Sequence, residues 1–475
     1  MDQIANKTLL AATCTASDDA IAVLNPATQE ILAYIPSTDT ATLNQLIERS
    51  KAAQKTWQEK TAAERATILK HWYDLMLANA DDLARIMTLE QGKPLAEAKG
   101  EVMYGASFVQ WFAEEGKRAY GDSIPTPASS KRLLTIKQPV GVAAAITPWN
   151  FPIAMITRKA APALAAGCSF IVKPANQTPL CAYATAELAY QAGLPRDLLI
   201  IVNHHSSVAI GDVLSHHHDI KKLSFTGSTQ VGSVLIAQCA DTVKRTSMEL
   251  GGNAPFIVFD DADIDAAVTG AIASKYRNAG QTCVCANRFY IHDAVYDQFV
   301  DKFIAEVAKL KVGNGLEQGV TVGPLIDARA KESVMGYITT AKAQGAKVAF
   351  GGRDLDGLFV EPTVLTDVTQ EMDIVQTEIF GPIAPVLRFS DEADLIKKAN
   401  DTIYGLASYF YTNNIHRAFR VAEALEYGMV GINEGLISNE VAPFGGVKQS
   451  GFGREGAKQG IDEYLNTKYL CFGGF

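Results

Sequence analysis

The chain has no excess of positive charge: 43 Lys and Arg stand against 52 Asp and Glu, a net charge of −9. It therefore offers no basic footprint for nucleic acid. No stretch approaches the roughly 18 to 20 consecutive apolar residues of a membrane-spanning helix. The opening residues, Met1 to Lys7, lack the basic start, apolar core and small-residue cleavage site of a signal peptide, and a cytoplasmic protein is expected. Seven cysteines in 475 residues, odd in number and irregularly spaced, form no disulfide framework and suit a reducing compartment. Internal repeats, low-complexity linkers and the Gly-Lys-Ser/Thr of a Walker motif are all missing. Histidine is scarce at eight, yet His204, His205, His216, His217 and His218 crowd together. Zinc ligands must converge on one point with partners behind them, whereas adjacent histidines on one element point apart. A solvated loop and no metal are expected there.

What is present is apolar bulk. At 48% hydrophobic, a chain this long exceeds the size at which one core keeps growing, so two or more domains are expected. The segment before residue 120 reads as mostly amphipathic helix. From Pro139 short apolar runs alternate with helical stretches: Val140–Ile146 as strand, Ala154–Ala166 as helix, Ser169–Val172 as strand, Tyr183–Ala192 as helix, Leu198–Val202 as strand, Val208–Leu214 as helix and Lys222–Thr226 as strand. A second run has strands at Phe256–Phe259 and Arg288–Ile291, with helices at Asp263–Asn278 and Val295–Leu310. This alternation argues for βαβ units and parallel sheets. Ligands gather beyond the carboxyl ends of such strands, where Thr147-Pro148-Trp149-Asn150 and Lys173-Pro174-Ala175-Asn176 fall.

Two glycine patterns compete for a phosphate. Gly451-Phe452-Gly453-Arg454-Glu455-Gly456 matches the dinucleotide fingerprint letter for letter. It follows a polar loop rather than a strand, with 19 residues after it, and is read as a chance match. Gly227 and Ser228 do follow a strand and open a helix, whose N–H groups can hold an anion. The plainer alternative is a serine-capped helix without a ligand.

The chemistry-bearing residues are Cys283, in Arg277-Asn278-Ala279-Gly280-Gln281-Thr282-Cys283-Val284-Cys285, and Glu249, in Met248-Glu249-Leu250-Gly251-Gly252-Asn253. A cysteine attacks as thiolate and needs a tuned setting or a nearby base. Taken alone the pair is weak, because free cysteines are usually small buried hydrophobes. Cys285, two places on, admits two readings. It is a resolving thiol for a strained, reducible disulfide with Cys283, or a packed residue whose side chain turns away.

Together with Ile146-Thr147-Pro148-Trp149-Asn150-Phe151-Pro152 and Glu378-Ile379-Phe380-Gly381-Pro382, these motifs resemble the aldehyde dehydrogenase superfamily, and within it the succinate-semialdehyde branch. The resemblance implies an α/β fold in three parts. These are a Rossmann-like parallel-sheet cofactor domain (1–120 and 140–250), an α/β catalytic domain (251–450) and a small β oligomerisation segment (121–139 and 451–475) of a homodimer or homotetramer. It implies Cys283 as nucleophile, Asn150 as oxyanion donor and Glu249 as the base for hydrolysis of a thioester. Thr147, Pro148, Trp149, Lys173, Asn176, Gly227, Ser228, Glu378 and Phe380 are implied at the cofactor. NADP is expected in preference to NAD, since a neutral Asn176 beside Lys173 tolerates a 2′-phosphate where a glutamate would repel it. Arg158, Arg277 and Ser438 are implied as the clamp for the carboxylate of a small semialdehyde, succinate semialdehyde first and glutarate semialdehyde as the alternative. The plainer fate of both arginines is a structural ion pair.

Overall fold

The computed structural model describes residues 1–474. Two open sheets form its framework. The first has six strands in the order Gly451–Phe452, Arg245–Glu249, Ile220–Thr226, Val142–Ile146, Ser169–Lys173, Leu199–Ile201. It is parallel except for the short edge strand Gly451–Phe452, which runs antiparallel to Arg245–Glu249. Strand Val142–Ile146 comes first in the chain, and its successors lie on opposite sides of it. The crevice opens at that reversal, beyond the carboxyl ends of Val142–Ile146 and Ile220–Thr226. The second sheet has seven strands in the order Lys347–Phe350, Thr363–Thr366, Ile383–Phe389, Ala286–His292, Ala254–Val258, Ala407–Tyr411, Met429–Ile432. Only its first pair is antiparallel. A third, antiparallel sheet joins Leu465–Gly473, Lys131–Pro139 and Ser123–Ile124.

The central strands are covered on both faces, so they read as continuous apolar runs rather than alternating ones. Helix Ala154–Ala166 is buried along its whole length, which suits its alanine-rich sequence but also encloses Arg158 and Lys159. Buried charges need partners, and theirs come from the far end of the chain.

Several boundaries differ from the sequence reading. Residues before 120 include a hairpin, Ala20–Leu24 with Ile31–Pro36, whose short strands are hidden among strong helical signals. The helix expected over 183–192 starts at Pro179, where proline suits the first turn. The helix expected to Asn278 ends at Tyr276, because Asn278 and Ala279 turn left-handed (φ 52° and 54°). The helix expected to Leu310 ends at Val307. Gly451 and Phe452, at the start of the glycine pattern read as a chance match, form a short edge strand on Arg245–Glu249. His217 and His218 do not point apart: their rings stack at 5.0 Å, and with Asp219 they form a group of ligand atoms within 4.8 Å of one another. The group is closed on itself, for Lys51 holds Asp219 at 2.8 Å and Nδ1 of His217 accepts the Asp219 N–H. Among the described residues no helix is long and apolar enough to cross a membrane.

One turn carries avoidable strain. Val243 has φ 49° and is 92% exposed, so a β-branched residue sits left-handed with nothing packed on it. Val243→Gly should raise the unfolding free energy by about 1 kcal/mol, read as a higher denaturant midpoint at unchanged activity. An unchanged or lower midpoint would show that the turn is unstrained.

Candidate active site

Helix Ile264–Tyr276 delivers the chain to a tight loop in which Asn278, Ala279 and Gly280 (φ 74°) are successively left-handed. Each non-glycine residue in that region costs of order 1–3 kcal/mol, and such strain collects at functional sites. At Gly280 a Cβ would lie 2.2 Å from the Gly381 carbonyl oxygen, so the close approach admits only glycine. The loop then presents Cys283. Strand Arg245–Glu249 ends on Glu249, and Gly252 packs directly on the Cys283 loop: a Cβ there would meet the Cys283 carbonyl oxygen at 2.2 Å. Two motifs some thirty residues apart thus meet backbone to backbone.

Cys283 stands on the common wall of two cavities. One, of 280 Å³, is lined by Asn150, Glu249, Pro148 and Trp149, by Gly227 and Ser228, and by Glu378 and Phe380. The other, of 290 Å³, is lined by Arg158, Arg277 and Ser438 with Tyr104, Phe151 and Phe444. Most of the residues singled out in the sequence are therefore brought together around one sulfur. Thr147 and Lys173 line neither cavity. The Lys173 ammonium instead contacts Ser207 Oγ at 2.8 Å, and Asn176 lines a separate cavity of 400 Å³. Burial lowers the Lys173 ammonium to about 8.

Burial, reinforced by Glu378 and Glu249 and opposed by Arg158 and Arg277, pushes the Cys283 thiol up to about 12. Glu249 is buried, and its Oε2 has no hydrogen-bond partner. Burial and the Glu455 carboxylate raise its carboxyl well above the usual range, against the pull of Arg158 and Lys159. Asn150 donates from its amide to the Gln281 carbonyl at 3.0 Å, while its Oδ1 lacks a partner. Glu378 accepts the Gly252 N–H at 2.9 Å, and burial pushes it up to about 7. Phe380 is itself left-handed (φ 51°) and meets Trp149 edge-on at 5.7 Å.

The two arginines differ. Arg158 forms a buried ion pair through Nε with Glu455, and its guanidinium lies over the Phe444 ring at 4.4 Å, so the structural reading holds for part of this side chain. Its Nη2 remains buried without a partner. Arg277 makes no ion pair among the described residues and lies 5.3 Å from the Phe151 ring centre. Asn176 is more constrained than expected: its amide donates to the His204 carbonyl at 2.8 Å, and its oxygen accepts from Asn203 at 2.9 Å. Cys285 is buried with its sulfur on the carbonyls of Lys275 and Ala286, at 3.3 and 3.5 Å, an orientation that supports the packed reading. All seven cysteines are free.

Sequence reasoning missed Lys159 and Glu455. Lys159 reaches Glu455 at 2.6 Å and Thr226 Oγ1 at 2.7 Å, and its charge acts on Glu249. The available signal was an Arg-Lys pair inside an otherwise apolar helix, which demands buried carboxylate partners.

Two α/β sheets thus place one thiol between a polar crevice and a cavity lined by Lys93, Arg158 and Arg277 with Glu97 and Glu101. The chain belongs to the aldehyde dehydrogenase family, whose model matches residues 13–470. It is 60% identical over 456 residues to the glutarate-semialdehyde dehydrogenase of Pseudomonas aeruginosa, covering 96% of this chain and 94% of that protein. It is 57% identical to the NADP-dependent succinate-semialdehyde dehydrogenase of Escherichia coli K12, covering 96% and 95%. The crystal structure of an aldehyde dehydrogenase from Brucella melitensis biovar abortus 2308 superposes with TM-score 0.98 at 58% identity, covering 100% of each chain.

Proposed function

We propose that this enzyme oxidises a short aldehyde bearing a distal carboxylate, succinate or glutarate semialdehyde, to the dicarboxylate, with NADP preferred over NAD. The carrying observation is the placement of Cys283 between the two cavities, the second lined by the Arg277 guanidinium, which has no ion pair among the described residues. Cys283 Sγ bonds to the aldehyde carbon as its proton passes to water in the crevice and out to solvent, and the carbonyl oxygen becomes an alkoxide. The amide N–H of Asn150 not donated to Gln281, together with the Cys283 backbone N–H, stabilises that oxygen. The crevice fits a dinucleotide: Gly227 leaves no room for a Cβ, which would lie 2.4 Å from the Phe225 ring, and Ser228 caps the helix Thr229–Ala240, whose N-terminus favours phosphate. A nicotinamide dinucleotide held there by Trp149, Glu378 and Phe380 would supply the acceptor for the hydride, leaving a thioester on Cys283. Glu249 takes a proton from water, the resulting hydroxide adds to the thioester, and the thiolate leaves as the product carboxylate forms.

Arg277, with Arg158 Nη2 and Ser438, receives the distal carboxylate. Arg277→Leu should lower kcat/KM for succinate semialdehyde by about 10²-fold, as loss of a charge-assisted contact of roughly 1.5–3 kcal/mol or more implies. A neutral aldehyde of equal length should lose less than about threefold. The test is the absorbance of reduced cofactor across a panel of semialdehydes and neutral aldehydes with both dinucleotides. Equal losses for charged and neutral substrates would sink the clamp.

On the cofactor side, Lys173 and Ser207 carry more of the 2′-phosphate recognition than Asn176, whose amide is largely occupied. A Lys173 ammonium lowered to about 8 is charged below that pH and neutral above it. The KM for NADP should therefore rise as pH passes about 8, and Lys173→Met should flatten this dependence at a uniformly high KM. A pH-independent KM in the wild type would remove Lys173 from phosphate binding.

We further propose the three-part division given by the sequence, with strand Gly451–Phe452 attached to the cofactor sheet, and a cytoplasmic homo-oligomer. Strand Leu465–Gly473 supports the oligomer, being the edge of its sheet with Tyr469 and Phe472 exposed.

A further inference from the structure

The Asn150 peptide rests on one buried charge pair outside the proposed reacting groups. Lys93 and Glu101, each only 1% exposed at the side chain, meet at 2.5 Å. The Lys93 ammonium also donates to the backbone carbonyl of Asn150 at 2.7 Å. The second oxygen of Glu101 accepts the backbone N–H groups of Ile153 and Ala154 at 3.0 and 3.3 Å, and so caps the helix Ala154–Ala166, which has no side-chain cap of its own. The Asn150 carbonyl takes a second bond, from Asn278 Nδ2 at 3.1 Å. That same amide reaches the Gln281 carbonyl at 3.2 Å, and the Asn278 backbone N–H donates to Glu97 at 2.8 Å. The ion pair therefore grips the Asn150 peptide and the start of the Arg158 helix, and the Asn150 carbonyl it holds is the same one that Asn278, in the loop before Cys283, donates to.

We infer that the Lys93–Glu101 pair is a positioning device for the oxyanion site, fixing the Asn150 amide relative to the Cys283 backbone N–H through the Asn150 carbonyl. The inference rests on the proposed role of Asn150. A surface salt bridge would do this poorly, since exposed pairs contribute little. A buried pair with its remaining valences satisfied is rigid, because every alternative arrangement leaves a charge without a partner in low dielectric. Donor placement matters at this scale: loss of one oxyanion donor typically costs about 10²–10³ in kcat, and a displacement of about 1 Å can cost about 10².

The test replaces both charges at once, Lys93→Met with Glu101→Gln, so that no lone charge is buried and the substituted side-chain amide keeps an oxygen for the N–H groups of Ile153 and Ala154. Expected are a kcat about ten- to a hundredfold lower and unchanged NADP affinity; Lys93 and Glu101 also line the 290 Å³ cavity, so kcat at saturating aldehyde, not KM, is the readout. With aldehydic deuterium, the primary isotope effect on kcat should increase, because a less stabilised alkoxide is a smaller fraction of bound substrate and the C–H cleavage that follows it becomes rate-limiting. A merely structural role would not move the isotope effect. A folded double variant with wild-type kcat and isotope effect would overturn the inference. Should that variant not fold, Glu101→Asp keeps the charges balanced but is one methylene too short to hold both Lys93 and the two amides. It should show the same kinetic signature, and wild-type kinetics there would equally overturn it. Asn150→Ala is assayed in parallel. If it alone loses rate, the positioning role fails and the oxyanion reading stands; if it keeps its rate, the oxyanion reading itself fails.

Discussion

Cys283→Ala should abolish turnover, by on the order of a million-fold as for other covalent nucleophiles, while binding NADP as the wild type does. The reason is local. The thiol is the group common to both cavities, so its removal leaves the cofactor crevice and the arginine-lined cavity intact but without a bond-forming atom between them. Burial pushes the thiol up to about 12, so attack requires that its proton leave as the bond forms. Fluorescence titration of the dinucleotide and steady-state assay separate the two properties. Activity within about tenfold of wild type would remove Cys283 from the mechanism, and loss of cofactor binding would show that the variant had disturbed the crevice.

Glu249→Gln should lower the steady-state rate by about 10²–10⁴ without abolishing the first turnover. Rapid mixing should show a burst of reduced cofactor followed by slow release, because the thioester forms but water is not activated to hydrolyse it. The pH dependence carries a sign. Burial first, then Glu455, raises this carboxyl well above its ordinary range, so its proton-accepting form grows as pH rises, and deacylation in the wild type should accelerate with pH beyond the range where an ordinary glutamate is fully ionised. The glutamine variant should lose that acceleration. A variant with an undiminished rate and the wild-type slope would assign the base elsewhere, with Lys159 and Glu455 the next candidates.

The order of strands and helices through the first sheet was legible because apolar runs bounded by glycine and proline alternate with helical stretches, and parallel strands covered on both faces have little other way to appear in sequence. The edges were less legible. The Ala20–Leu24 hairpin lay inside helical composition, and the helix before the nucleophile stops at Tyr276 through a left-handed turn of Asn278 and Ala279 that their residue types do not demand. Cys283, Glu249 and Asn150 were recognisable because each sits in a motif that resembles a family's pattern. Lys93, Glu101, Lys159 and Glu455 were not, since none sits in a motif that assigns it a role and what each side chain serves is set by distant chain, over 57 residues from Lys93 to Asn150.

By itself the sequence determined the class of chemistry and the alternation of elements, because nucleophile, base and amide are residue types and the βαβ pattern is a local periodicity. Tertiary structure decided which charges are spent and which are free. Arg158 and Arg277 are indistinguishable as letters in an ion-pair argument, yet Glu455 takes the Nε of one and, among the described residues, no carboxylate pairs with the other. Asn176, chosen for its neutral amide, finds that amide already engaged by His204 and Asn203. The physical reason is the same in each case: desolvation makes a polar group's partner decisive for its energy, and the partner is set by the packing of segments far apart in the chain.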